Sequence, residues 1–243
     1  MKKWKTKNGY EIIRVLSGRC NVFIVSNGIN NLMVDASVSR LWAKLQKQIV
    51  KLSLKNIDCL ILTHAHFDHA ANANKVKEKY KIPVIIHKNE AGYLTAGENI
   101  LPNGTTFFTK PLMKFVGKKL SPKFNYEPCI PDLLLDEIYD LKEFGIKACL
   151  IHTPGHTTGS MSLIVDDEIA LVGDAMFGVF SGSVFPPFAN DVALMVESWG
   201  KLLETKCNIF LPSHGREINR LLLQREYKKW KERIQDNFLD ISK

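Results

Sequence analysis

The order of sequence elements predicts an α+β fold, a four-layer αββα sandwich in which two mixed β-sheets lie face to face with helices outside. Strand-like segments come first as hairpins and then alternate with helical ones. The second half of the chain repeats that order, although no internal sequence repeat accompanies it. With 243 residues, 45% apolar and 24% charged, the chain has the composition of an ordinary globular protein and ample material for a core. The expectation is one domain over residues 1–243, with residues 96–127 as an insertion or flap over a site.

Residues 10–16, 21–26 and 31–35 read as successive strands, with Gly18 and Asn27-Gly28 at the turns. From 37 to 52, Val38, Leu41, Trp42, Leu45, Ile49 and Leu52 recur at helical spacing. Residues 58–62 read as a buried strand, 72–80 as a helix and 83–87 as a further strand. The second half supplies strands at 146–151, 161–165 and 169–172, a helix at 191–204, a short strand at 208–211 and a closing helix at 221–238. Segment 96–127 is irregular and lysine-rich, and it carries Phe107, Phe108, Met113 and Phe115. It reads either as a partly helical lid, greasy on one side and basic on the other, or as a surface insertion.

Five scattered cysteines without a CxxC pair fit reduced thiols and a cytoplasmic protein better than a disulfide framework. The basic N-terminus has no apolar stretch behind it, unlike a secretory signal. No apolar run is long enough to span a bilayer, so no membrane partner is expected. The formal charge of +8 is spread over the N-terminus, the 110–123 loop and the last helix. Nucleic acid is accordingly disfavoured as a partner, and a small-molecule substrate is expected. The alternating charges of the last helix read as a solvated face, while Leu221, Leu222, Trp230 and Phe238 could serve docking or a homodimer.

The richest stretch is Thr63-His64-Ala65-His66-Phe67-Asp68-His69, directly after an apolar strand. Imidazole and carboxylate are first-choice ligands for zinc and similar ions. His64 and His66, two apart on extended backbone, point the same way and can reach one metal. Asp68 and His69, where the chain turns, could hold a second. Three more ligand-type residues, His156, Asp174 and His214, each follow a strand and neighbour glycine. Loops at the carboxyl ends of strands can bring them to the first motif.

HxHxDH, then TPGHTxGS, GD and SHG resemble the metallo-β-lactamase superfamily over nearly the whole chain. The resemblance implies one metal on His64, His66 and His156, another on Asp68, His69 and His214, and Asp174 bridging them. Asp35 matches an early aspartate that orients the ligand loop rather than binding metal. Two divalent ions are expected, zinc in the first place, with iron or manganese as alternatives. Such a pair shares a hydroxide active at neutral pH, and Asp68 is the catalytic residue that orients it and passes its proton to the leaving group.

The expected function is therefore a dinuclear hydrolase of a small ester, thioester or lactone. Asp174, where common β-lactamases have cysteine or no ligand, disfavours antibiotic hydrolysis. The chain resembles glyoxalase II-like enzymes at Gly173–Phe177 but lacks their glutathione-site residues. It resembles homoserine lactonases at HxHFDH, with Phe177 where they have tyrosine. Two alternatives stay open, a mononuclear iron sulfur dioxygenase and an RNA-processing nuclease. Phe177 and Phe180 are candidate substrate-pocket residues. His87 could line the pocket or simply pack, and His152 is expected in the core.

Overall fold

Alternation of apolar side chains along the strands sorts the interior into three layers of packing. The computed structural model describes residues 1–241, and their side-chain surroundings apart from 116, 118 and 237–241. The side chain of Phe238, a candidate for docking, lies outside the described residues.

The first half runs β1 (Lys2–Lys5), β2 (Glu11–Leu16), β3 (Val22–Ser26), β4 (Asn31–Val34), α1 (Trp42–Val50), β5 (Cys59–Ile61), α2 (Phe67–Ala70), α3 (Ala73–Tyr80), β6 (Val84–His87) and α4 (Lys88–Ala96). Segment 96–127 contributes α5 (Thr109–Leu120), then come β7 (Leu133–Leu135) and β8 (Ile138–Asp140). The second half continues with β9 (Ala148–His152), β10 (Met161–Val165), β11 (Ile169–Gly173), α6 (Val192–Glu204), β12 (Ile209–Pro212), β13 (Ile218–Asn219) and α7 (Arg220–Ile241).

One sheet has the order β1-β2-β3-β4-β5-β6-β7, the other β13-β12-β11-β10-β9-β8. β1 to β4 pair antiparallel, while β4, β5, β6 and β7 are parallel. In the second sheet β11 and β12 are parallel and the other pairs antiparallel. Both sheets are mixed, as expected.

Ile12, Phe23, Val25, Leu32, Val34 and Ile61 face Leu150, Leu163, Leu171 and Leu211 of the opposite sheet. Their neighbours Ile13, Ile24, Met33 and Leu60 point the other way, onto Leu45, Ile49 and Val76 of α1 and α3. On the far side Ile164, Ala170, Val172 and Phe210 pack under Met195, Trp199 and Leu202 of α6 and Leu223 of α7. A period of two on strands and about 3.6 on helices thus yields the layer order α, β, β, α.

Several elements go beyond the sequence reading. β1, α4, β7, β8 and β13 were not expected, and the 96–127 segment contains the twelve-residue helix α5. β1 is polar and largely exposed, an edge strand that among the described residues pairs only with β2. α4 has little amphipathic pattern; it forms because His87 caps its first turn and Glu90 and Leu94 are buried beneath it.

Because β4, β5 and β6 run parallel and β9, β11 and β12 share one direction, their carboxyl ends open at a common edge of the sandwich. Two cross-links hold the edges together there. Met161 N donates to Thr63 O at 2.9 Å, and Asn21 N donates to Ser213 O at 2.7 Å.

Candidate metal centre

The HxHxDH stretch leaves β5 in extended backbone and turns into α2 at His66, the residue preceding that helix. His64, His66 and His69 are all buried, whereas Asp68 retains 15% side-chain exposure. His156 arrives on the loop after β9, Asp174 directly after β11 and His214 just past Ser213 at the end of β12. Two glycines permit this approach. Gly155 has φ of +127°, and a Cβ there would lie 2.3 Å from Met195 N. Gly173 has φ of +53°, and its Cβ would press on Thr63 at 2.8 Å. Neither position tolerates a side chain.

Seven side chains named from the sequence come together. His66 Nδ1 lies 2.9 Å from His64 Nε2 and 3.1 Å from His156 Nε2. Around a tetrahedral zinc, bonds of ~2.0–2.1 Å put neighbouring nitrogens roughly 3.3 Å apart, close to this spacing. Beside them, His69 Nε2 lies 3.9 Å from Asp68 Oδ1, and His214 Nε2 lies 3.5 Å from Asp68 Oδ2. Asp174 sits between the two groups. Its Oδ2 is 3.4 Å from His156 Nε2 and 3.3 Å from His214 Nε2, and its Oδ1 is 3.5 Å from His69 Nε2.

The donor set fits divalent cations on two physical grounds. His69 Nε2 and Asp174 Oδ1 are buried yet have no hydrogen-bond partner among the described residues; an orphaned pair of this kind is costly unless something satisfies it. For the group of His64, His66 and His156 the electrostatics agree. Burial, aided by neighbouring imidazoles, holds His64 and His66 well below the usual histidine pKa, and burial also lowers His156. Their nitrogens therefore carry free lone pairs. Burial disfavours charge on Asp174, but His214 and His69 outweigh it and keep its carboxyl far below the ordinary range.

The outer nitrogens are oriented by fixed partners. Asp35 is fully buried and held at φ of +61°. Its carboxylate lies 2.8 Å from His69 Nδ1 and accepts from Thr63 N, Thr63 Oγ1 and Ser213 Oγ. His156 Nδ1 lies 2.9 Å from Phe188 O, and Thr63 Oγ1 lies 3.1 Å from His64 Nδ1.

Sequence reasoning missed three residues around this centre. Glu90, buried on α4, accepts from Ala65 N and Gly159 N, both at 3.0 Å, and so clamps the two histidine loops. Tyr126 Oη donates to Ala65 O at 2.6 Å. Cys20 Sγ lies 3.7 Å from His69 Nδ1, and burial pushes its thiol up to about 12, so it stays protonated beside the site. No local pattern announces any of these; only the packing of distant segments does.

A cavity of about 440 Å³ opens on the cluster. Its walls are largely apolar, with Leu101, Met113, Leu120, Phe124, Phe177 and Phe188, and Arg19 stands at the rim. Two expectations change here, and the alternative left open at His87 falls to packing. His87 is not in the cavity wall; it stacks on His152 at 4.1 Å, behind the loop at Gly159, because β6 runs straight into α4. His152 is not in the core; it lies half-buried at the carboxyl end of β9, 3.5 Å from Glu137. Phe180 is 56% exposed on the surface. Phe177 does line the cavity, its ring 4.5 Å from His214.

The sequence pattern of the metallo-beta-lactamase superfamily matches residues 17–214. A probable metallo-hydrolase of Methanocaldococcus jannaschii is 30% identical over 150 residues, which cover 62% of this chain and 64% of that protein. A metallo-beta-lactamase fold-containing protein of Sulfurisphaera tokodaii is 28% identical over 89% of this chain and 81% of its own length. The crystal structure of an archaeal metallo-beta-lactamase superfamily protein from Sulfolobus tokodaii superposes with a TM-score of 0.63, at 23% identity, over 91% of this chain and 85% of that one. Fold, site-bearing loops and sequence pattern agree: the chain belongs to the metallo-beta-lactamase superfamily.

Proposed function

We propose that this protein is a dinuclear metal-dependent hydrolase acting on a small ester, thioester or lactone with an apolar acyl part. The observation that carries the reading is the position of Asp174, within 3.5 Å of a nitrogen from each ligand group. His64, His66 and His156 would hold one cation, Asp68, His69 and His214 the other, and Asp174 would touch both. When bound, such cations supply Lewis acidity toward a carbonyl oxygen and bring the pKa of water to about 7.

The remaining chemistry falls to the chain itself. Asp68 reaches both the cluster and the cavity, so its carboxylate can take a proton from the attacking water and deliver it to the leaving group. Asp35 keeps His69 in one orientation. Asn99 lines the cavity; its Oδ1 accepts from Phe67 N at 2.9 Å, while its Nδ2 is buried and unpaired among the described residues. That amide is a ready donor for a polar atom of the substrate. Leu101, Met113, Leu120 and Phe124 offer apolar walls for an acyl chain and exclude water from it.

Zinc-, manganese- and iron-loaded protein should be assayed against acyl esters, thioesters and lactones, with phosphodiesters and persulfides as controls. Turnover is expected on the acyl substrates and should fall at least about a hundredfold in Asp68→Asn and His66→Ala. Oxygen consumption with a persulfide, or full activity in both variants, contradicts the proposal.

A further inference from the structure

Helix α5 is apolar on two sides. Inward, Met113 and Leu120 line the cavity. Outward, Phe108, Leu112 and Phe115 follow one another at helical spacing, with Phe107 beside them. Their exposures are 85% at Phe107, 80% at Phe108, 55% at Leu112 and 74% at Phe115. Large apolar side chains this exposed and this close together mark a contact surface rather than scatter. The charge around them has one sign. Lys110, Lys114, Lys119 and Lys123 are all exposed, and no acidic residue occurs between Glu98 and Glu127.

We propose that this outer face of the flap docks on an anionic lipid surface. An apolar helix face flanked by lysines is the pattern of helices that lie in a membrane interface. A second copy of the chain is a poor occupant, because a symmetric contact would set lysine against lysine. Single-stranded nucleic acid fits less well. Phe107 and Phe108 pack edge to face, 5.4 Å apart at 85°, instead of offering two parallel platforms for bases. The expectation of no membrane partner rested on the lack of a spanning run, and among the described residues no helix is long and apolar enough to cross a membrane. Docking on the surface needs no such run. It would also set the cavity, whose wall is the other side of α5, next to a reservoir of apolar substrate.

The test is co-sedimentation of the full chain with vesicles of phosphatidylcholine alone or with about one third phosphatidylglycerol. No substrate is present, so failure here leaves the hydrolase reading untouched. Binding at least about tenfold tighter to the anionic vesicles, and weakened by about 0.5 M salt, is expected. Phe108→Ser/Phe115→Ser should lower that affinity about tenfold, and Lys110→Glu/Lys114→Glu should abolish the preference for anionic lipid. Both should keep the wild-type circular dichroism, since the altered side chains are exposed. Equal partition to both vesicle types, or unchanged binding by the variants, overturns the proposal. So does a wild-type dimer that the phenylalanine variant splits, or retention on single-stranded RNA in place of vesicles.

Discussion

The carboxylate of Asp35 lies 2.8 Å from Nδ1 of His69, and both side chains are fully sealed from solvent. Burial alone would keep His69 neutral, but the Asp174 and Asp35 carboxylates around it raise its pKa well above the ordinary histidine value, and a bound cation would have to displace that proton. The contact fixes which ring nitrogen faces Asp68 and Asp174. Asp35 reaches beyond its own sheet as well, because Ser213, beside His214, donates to the same carboxylate at 2.9 Å.

Replacing Asp35 by Asn keeps the shape but exchanges an acceptor for a donor. Metal affinity should fall about 10–100-fold, the range seen when a ligand's outer partner is altered. Competition against a chromophoric chelator reads this directly, and wild-type affinity would remove Asp35 from its orienting role.

Glu90 links two loops that the chain brings from positions 65 and 159. In Glu90→Gln one of the two backbone N–H groups faces an amide N–H₂ and loses its acceptor. Urea denaturation should show a loss of about 1–3 kcal/mol. A Glu90→Gln protein of unchanged stability would show the clamp to be dispensable.

Asn99→Asp retains the acceptor for Phe67 N but removes the unpaired Nδ2 donor. If that donor meets the substrate, kcat/KM should drop about tenfold, equivalent to ~1.4 kcal/mol. The melting temperature of the variant separates this effect from a loss of fold.

Asp166 provides a pH signature remote from the cluster. Burial pushes its carboxyl up, but hydrogen bonds from Asn8 and Thr6 and the Lys147 ammonium outweigh this and hold the pKa below the usual value. Asn8 Nδ2 donates at 2.8 Å and Lys147 Nζ at 3.1 Å. A folded pKa below the unfolded ~3.9 means the stabilisation is present above that pH and is lost as pH falls through the folded value. Acid denaturation of Asp166→Asn should therefore show a shallower loss of stability below about pH 4 than wild type. Identical profiles would contradict the linkage.

The parts legible from sequence are those whose signal is local. HxHxDH, His156 with its glycine, Asp174 and His214 announce themselves by residue type and by following strands, and all seven side chains meet. The sheets were legible because side chains such as Ile12 and Ile13 alternate between the inter-sheet layer and the helix layer. β1 and α4 were not, since their formation depends on β2 and on burial of Glu90 rather than on their own pattern. His87 stayed open between pocket and packing because a strand end does not reveal whether a helix follows at once. Cys20 and Tyr126 reach the centre only through tertiary packing, which no single segment encodes.

The most direct measurement is cation titration of the chelator-stripped chain, followed by elemental analysis of the dialysed product. The account predicts tight uptake of about two equivalents of a divalent cation per chain. His66→Ala should lose one of them and His69→Ala the other. Uptake of none, or two equivalents retained by both variants, would contradict the centre described here.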